Sequence, residues 1–166
     1  MVASVFISQW DAVVVSKVPT TLINTPGIAI ARCTCRAYCD LLVLRRYWRG
    51  KDADGRRQRL LLASTGTTVR KVTEVVYSKA TAAPLTVNAM PEKTRLVFAA
   101  HGEVVASMLG NGSDCESALA DFSKVGVDID ALAAQRQNDG ADSFIKSWNE
   151  LIEATKSRSN AAPRRP

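Results

Sequence analysis

The stretch "LLLASTGTTVRKV" (residues 60–72) decides how this chain is read. An apolar run, Leu60-Leu61-Leu62-Ala63, gives way at once to Ser64-Thr65-Gly66-Thr67-Thr68 and then to Arg70 and Lys71. A strand that ends in hydroxyls, a glycine and two cations reads as a seat for an anion such as phosphate. Strands this apolar belong in parallel sheets buried between helices. In such folds the chemistry sits where strands end and loops begin.

The rest of the chain fits that frame. With 166 residues, 46% of them hydrophobic, its length and composition suit one globular domain. "VASVFI" (2–7) reads as a buried strand, "DAVVVSKV" (11–18) as a helix, and Ile28 to Tyr47 as a longer helix with Ile30, Tyr38, Leu41 and Leu42 on one face. A second strand spans 59–64, and "EVVYSKA" (74–80) reads as a short third one. Residues 83–94 read as a loop whose Pro91 opens a helix that stops at Gly102. Together Ser8 and Gln9, Ser64 to Thr68, and Thr86 to Met90 are expected on one rim.

Ser113 and Glu116 form a capping-box pattern for a helix to Lys124 that Gly126 ends, and Asp128 is a candidate cap for the next. Phe144, Ile145, Trp148, Leu151 and Ile152 then recur with the helical period. Residues 1–157 are read as one unit, and 158–166 as a disordered basic tail.

The net charge is +6, and Arg45, Arg46, Arg49, Lys51, Arg56, Arg57 and Arg59 cluster against only Asp52 and Asp54. That run reads first as a solvated loop. A small basic binding module is the alternative, and nucleic acid is not expected, because no recognition motif surrounds Tyr47 and Trp48. No stretch reaches the roughly 18 apolar residues of a membrane span, and the N-terminus has no basic leader, so the expected location is cytoplasmic. Cys33, Cys35, Cys39 and Cys115 match no zinc spacing and read as reduced thiols. No metal or cofactor is expected.

Five blocks, in order, carry a family resemblance: "VASVFIS", "GIAIARCTCRAYCDLL", "LLLASTGT", "AAPLTVNAMPEKT" and "DIDALAAQRQNDGADSFIKSWNELIEA". From about Val2 to Lys156 the chain resembles the C-terminal portion of bacterial transaldolase, truncated and degenerate. The resemblance implies an α/β fold: a partial (β/α) TIM-type barrel, the last three strands and their helices only, with a helical C-terminus. It also implies the transfer of a dihydroxyacetone unit between sugar phosphates in the pentose phosphate pathway. A fourth-strand lysine forms the Schiff base, and an aspartate and a glutamate handle protons.

On this resemblance the chain begins at the sixth strand, after the segments that hold those three groups. Lys17, Lys71, Lys79 and Lys93 fall in helices or loops, where no apolar strand desolvates the amine. No catalytic residue is therefore assigned. Ser4, Phe6, Ser64 and Thr65 match substrate-binding positions. Gln9 stands where the family has arginine, Thr68 where it has lysine and Arg70 where it has a turn proline. A charge-assisted bond is worth about 1.5–3 kcal/mol against roughly 1 for a neutral one, so the Gln9 change alone implies about tenfold weaker phosphate binding. Arg136 falls on a helix face where leucine is usual, and burying an unpaired guanidinium is costly.

The expected outcome is a transaldolase-family chain that is inactive alone. The alternatives are a C-terminal half that completes a split barrel with an N-terminal chain, or a small basic binding module without enzyme activity. The expected partners are sugar phosphates, with a complementary N-terminal chain or self-association through exposed sheet edges beside them.

Overall fold

The computed structural model describes residues 1–66, 75–104, 106–112 and 114–161. Three parallel strands form one sheet in the order β1-β2-β3: β1 (Val2–Phe6), β2 (Arg59–Ala63) and β3 (Thr86–Ala89). Helices connect and follow them: α1 (Ser8–Val14), α2 (Pro26–Val43), α3 (Arg45–Asp52), α4 (Val76–Ala80), α5 (Glu92–His101), α6 (Cys115–Lys124) and α7 (Ile129–Ala161). The chain is thus α/β. It divides into two compact units, Met1–Val127 and Asp128–Pro166.

The register sorts the sheet into two faces. Ala3 pairs with Leu60 and Val5 with Leu62, so these side chains share a face. Helices cover that face: Leu60, Leu62, Ile7, Ala31, Cys35 and Tyr77 form the core with Met108, and Val5, Ile28 and Tyr38 pack against it. On the other face stand Ser4 beside Leu61, Phe6 beside Ala63, and Val87 and Ala89 from β3. Here Phe6 is 46% exposed, and Ser4 and Ala89 are exposed as well.

Several elements differ from the sequence reading. β1 is exposed along most of its length because it is an edge strand and the face that carries Ser4 and Phe6 is open. The third strand is Thr86–Ala89, within the expected loop, while the expected strand at 74–80 holds helix α4 and its residue 74 lies outside the described residues. The tie that fixes α4 is local: Lys79 N–H donates to Val75 O at 3.0 Å and Thr81 N–H to Tyr77 O at 2.9 Å.

The long helix expected to Tyr47 breaks at Leu44, whose ψ of 142° is extended, and the basic stretch expected as a loop continues as α3. The buried face of α2 includes Ala29, Ala31 and Cys35, whereas Leu41 is exposed.

Helix ends follow sequence signals more closely. Gly126 has φ +81°, and Val127 N–H donates back to Phe122 O at 3.0 Å, which ends α6. The Asp128 carboxylate accepts from Ala131 N–H at 3.0 Å and caps α7. Ser113, the expected cap of α6, lies outside the described residues, and Asp114 occupies the cap position.

α7 runs unbroken through Gly140 and on to Ala161, into the expected tail; residues 162–166 lie outside the described residues. Within α7, Arg136 is not unpaired: its guanidinium meets Asp139 one turn on, although Nε has no partner. Phe144, Trp148 and Leu151 are exposed along α7.

The cysteine reading is also corrected: Cys33 of α2 and Cys115 of α6 are joined in a disulfide. Arg32–Asp114 at 2.5 Å and Arg36–Glu116 at 2.7 Å flank it. Eighty-two residues separate the two cysteines, so only the packing of α2 on α6 brings them together. Cys35 and Cys39 stay free, and burial, with Cys39 beside it, pushes the Cys35 thiol up to about 11.

Candidate functional site

The C-terminal ends of the three strands build one rim. Ile7 N–H donates to Ala63 O at 2.9 Å and Ser8 N–H to Ser64 O at 3.1 Å, so pairing of β1 with β2 continues one step past both strands. Ser64 then turns with φ +53°, a left-handed backbone rare for a residue with a side chain. That turn ends the strand alternation and buries Thr65 completely.

Past it, Gly66 lies against the start of α5. A methyl on Gly66 would sit 3.0 Å from Thr94 Oγ1 and 3.1 Å from Pro91 Cγ, so the close approach suits glycine.

A chain of side-chain bonds holds this rim. Thr65 Oγ1 donates to Asn88 Oδ1 at 2.7 Å, Asn88 Nδ2 donates to Thr81 Oγ1 at 3.1 Å, and Thr81 Oγ1 donates to Tyr77 O at 2.7 Å. Tyr77 is fully buried and its hydroxyl donates to Asn24 Oδ1 at 2.9 Å. Ser78 Oγ lies 3.4 Å from Thr65 O as a weaker donor. Within this chain of bonds the hydroxyls of Thr65, Thr81 and Tyr77 and the amide of Asn88 each have a partner. The Thr65 hydroxyl proton is committed to Asn88 and holds β2 to β3.

Asp11 is the outlier. It is 1% exposed, and no donor meets either of its carboxylate oxygens with hydrogen-bond geometry. Burial pushes its pKa up to about 6. The Tyr77 hydroxyl and the Gly27 amide lower it in part, but that hydroxyl is already given to Asn24. A methyl on Gly27 would lie 2.5 Å from Ile7 O and 2.6 Å from Asp11 Oδ2, so only glycine lets α2 start this close to α1. Burial and the nearby Asp11 carboxylate push the Tyr77 hydroxyl up as well.

Of the residues read from sequence, Ser64 and Thr65 lie on the rim, with Phe6 beside Ala63 and Ser4 two residues lower on the open face. Gln9 is exposed, while Ser8 is buried. Thr67, Thr68, Arg70 and Lys71 lie outside the described residues. Sequence reasoning missed Asp11 and Tyr77. Asp11 carried one signal: it is the acid of a helix whose other buried members are Ser8 and Val14. Nothing sequential linked it to Tyr77. Among the described residues no group of three His, Cys, Asp or Glu could hold a metal ion. No described helix is long and apolar enough to cross a membrane.

The parallel strands, with hydroxyls and a glycine at their C-terminal ends, agree with the sequence blocks. The model of the family described as Transaldolase/Fructose-6-phosphate aldolase matches residues 1–155. The chain belongs to this family.

Relatives include the transaldolases of Mycolicibacterium smegmatis, 31% identical over 169 residues, and of Mycolicibacterium paratuberculosis, 32% identical over 170 residues. The transaldolase of Mycobacterium tuberculosis strain H37Rv is 31% identical over 170 residues. In each case the match covers 97% of this chain and 46% of the relative. The chain therefore spans less than half the length of the transaldolases it matches.

Proposed function

We propose that these residues are the C-terminal part of a transaldolase-type barrel, the sixth to eighth strands. They supply the hydroxyl side of a sugar-phosphate site, with Ser4, Phe6, Ser64 and Thr65 as its substrate-side residues. The reaction it belongs to moves a dihydroxyacetone unit between sugar phosphates of the pentose phosphate pathway. Family membership supports the chemistry, and the open sheet face supports the partial barrel. A closed barrel of this type takes roughly 250 residues.

As an isolated polypeptide the chain is proposed to be inactive. One observation carries this: among the described residues every lysine is exposed or half-buried and none lies in a strand. Schiff-base chemistry needs an amine in a desolvating apolar pocket, and no described lysine is buried in one. Lys79, the half-buried one, donates from Nζ to His101 O at 3.4 Å. The test is borohydride trapping of the purified chain with fructose 6-phosphate, read by intact mass. No adduct is expected, and a stoichiometric one overturns the inactivity.

The open face of β1 favours a second reading, a half-barrel completed by a separate N-terminal chain. Co-expression with the matching upstream region of a relative should then give a stable complex and restore exchange. Persistent failure to co-purify counts against it. Cytoplasmic location is part of the same proposal.

A further inference from the structure

The far end of the sheet holds a cleft of about 360 Å³ between the C-terminal part of α2, α3 and the return loop to β2. Its apolar wall is Tyr38, Leu41 and Leu42, and its rim carries Arg46, Arg56 and Arg57. That volume lies in the range of sites for small organic ligands. None of the three arginines is in an ion pair among the described residues, and the cleft has no acidic side chain in its lining.

The cleft is built rather than incidental. Asp54 turns with φ +59°, Gly55 N–H donates to Gly50 O at 2.8 Å, and a methyl on Gly55 would lie 2.5 Å from that same oxygen. This turn folds Arg56 and Arg57 back toward α3. Tyr38 OH donates to Gln58 O at 3.0 Å, and Gln58 Nε2 donates to Val2 O at 3.1 Å. The loop is therefore pinned at both ends, and its cations are held around an apolar wall.

We propose that this cleft binds a small organic anion with a flat apolar body and a phosphate-like head. Three guanidinium groups gathered without an acid repel one another. A dianionic head relieves that repulsion, and Arg matches it with paired donors. The apolar body covers Tyr38 and Leu42. The cleft lies at the N-terminal ends of the strands, opposite Ser64 and Thr65. Its occupant is therefore not the sugar phosphate of the rim, and this inference stands whether or not that reading does.

The experiment titrates the full chain with 1-naphthyl phosphate at about 150 mM salt, read by saturation-transfer NMR. Saturable binding is expected. It should weaken about tenfold in each of Arg46→Glu and Arg57→Glu, both exposed positions whose folding circular dichroism checks. Uncharged 1-naphthol and inorganic phosphate should each bind at least about tenfold more weakly than the combined probe.

Four outcomes overturn the proposal: no saturable binding, affinity unchanged in both variants, inorganic phosphate as good as the aryl phosphate, or displacement by fructose 6-phosphate. Tighter, competing binding of oligouridylate would instead mark a nucleic-acid surface and also overturn it.

Discussion

The two faces of the three-stranded sheet carry similar side chains and fare differently. On the helix-covered face Leu62 is 0% and Leu60 2% exposed, whereas on the other face Phe6, on the neighbouring strand, is 46% exposed. Both faces of β1 and β2 carry apolar side chains, Val5, Leu60 and Leu62 on one and Phe6, Leu61 and Ala63 on the other, although the open face also holds Ser4 and Arg59. The covered face thus carries the stability of this unit, and the open face, where Leu61 is half-buried and Ala63 buried, leaves the Phe6 ring nearly half in water. An apolar surface left open in this way is what an interface or an unclosed barrel presents.

The sharpest break of that contrast is Leu62→Ala. Leu62 sits in the cluster with Ile7, Ala31 and Tyr77, so the truncation leaves a cavity under α2. The expected loss is about 2–5 kcal/mol by urea denaturation. A loss under about 1 kcal/mol would mean that the covered face is not the core.

Asp11 tests whether the covered side tolerates charge. Its folded pKa of about 6 lies above the ordinary 3.8. A raised carboxyl stabilises the fold while both states are protonated, below the unfolded pKa, and that contribution is lost as pH rises through the folded pKa. The gap corresponds to about 3 kcal/mol, an order-of-magnitude figure, spent between about pH 4 and pH 6 to 7. Asp11→Asn removes the charge and keeps the shape. Relative to the parent chain it should gain about 1–3 kcal/mol at pH 7 over its standing at pH 4. The measurement is paired denaturation curves across that range. A difference between the two chains that does not vary with pH would show that Asp11 finds a partner or water in solution.

The sequence carried the covered half of this picture better than the polar one. The run Leu60–Ala63 announced β2 because it is central and paired on both sides. It could not announce that β1, just as apolar, would stand at an edge, since exposure depends on neighbours rather than on composition. β3 was hidden by its shortness and flanking prolines, Pro84 and Pro91. α4 was hidden by Val75, Val76 and Tyr77, strand formers overridden by tertiary packing.

On the rim, Ser64 and Thr65 were legible from the break in hydropathy. The Thr65–Asn88–Thr81 chain and the Cys33–Cys115 bond were not, because each joins segments that only the fold brings together.

The smallest effect is expected on the open face, and it is the one that decides what that face is for. Phe6→Ser removes an aromatic ring that is nearly half in water. If the face has no cover in the isolated chain, stability should change by no more than about 0.5 kcal/mol, as for surface substitutions away from a packed core. The same change should lower concentration-dependent self-association in sedimentation, since β1 is an exposed edge with an apolar face. A loss of about 2 kcal/mol or more would mean that Phe6 is buried in solution, in a dimer or against another segment. The two faces would then differ only in which partner covers them.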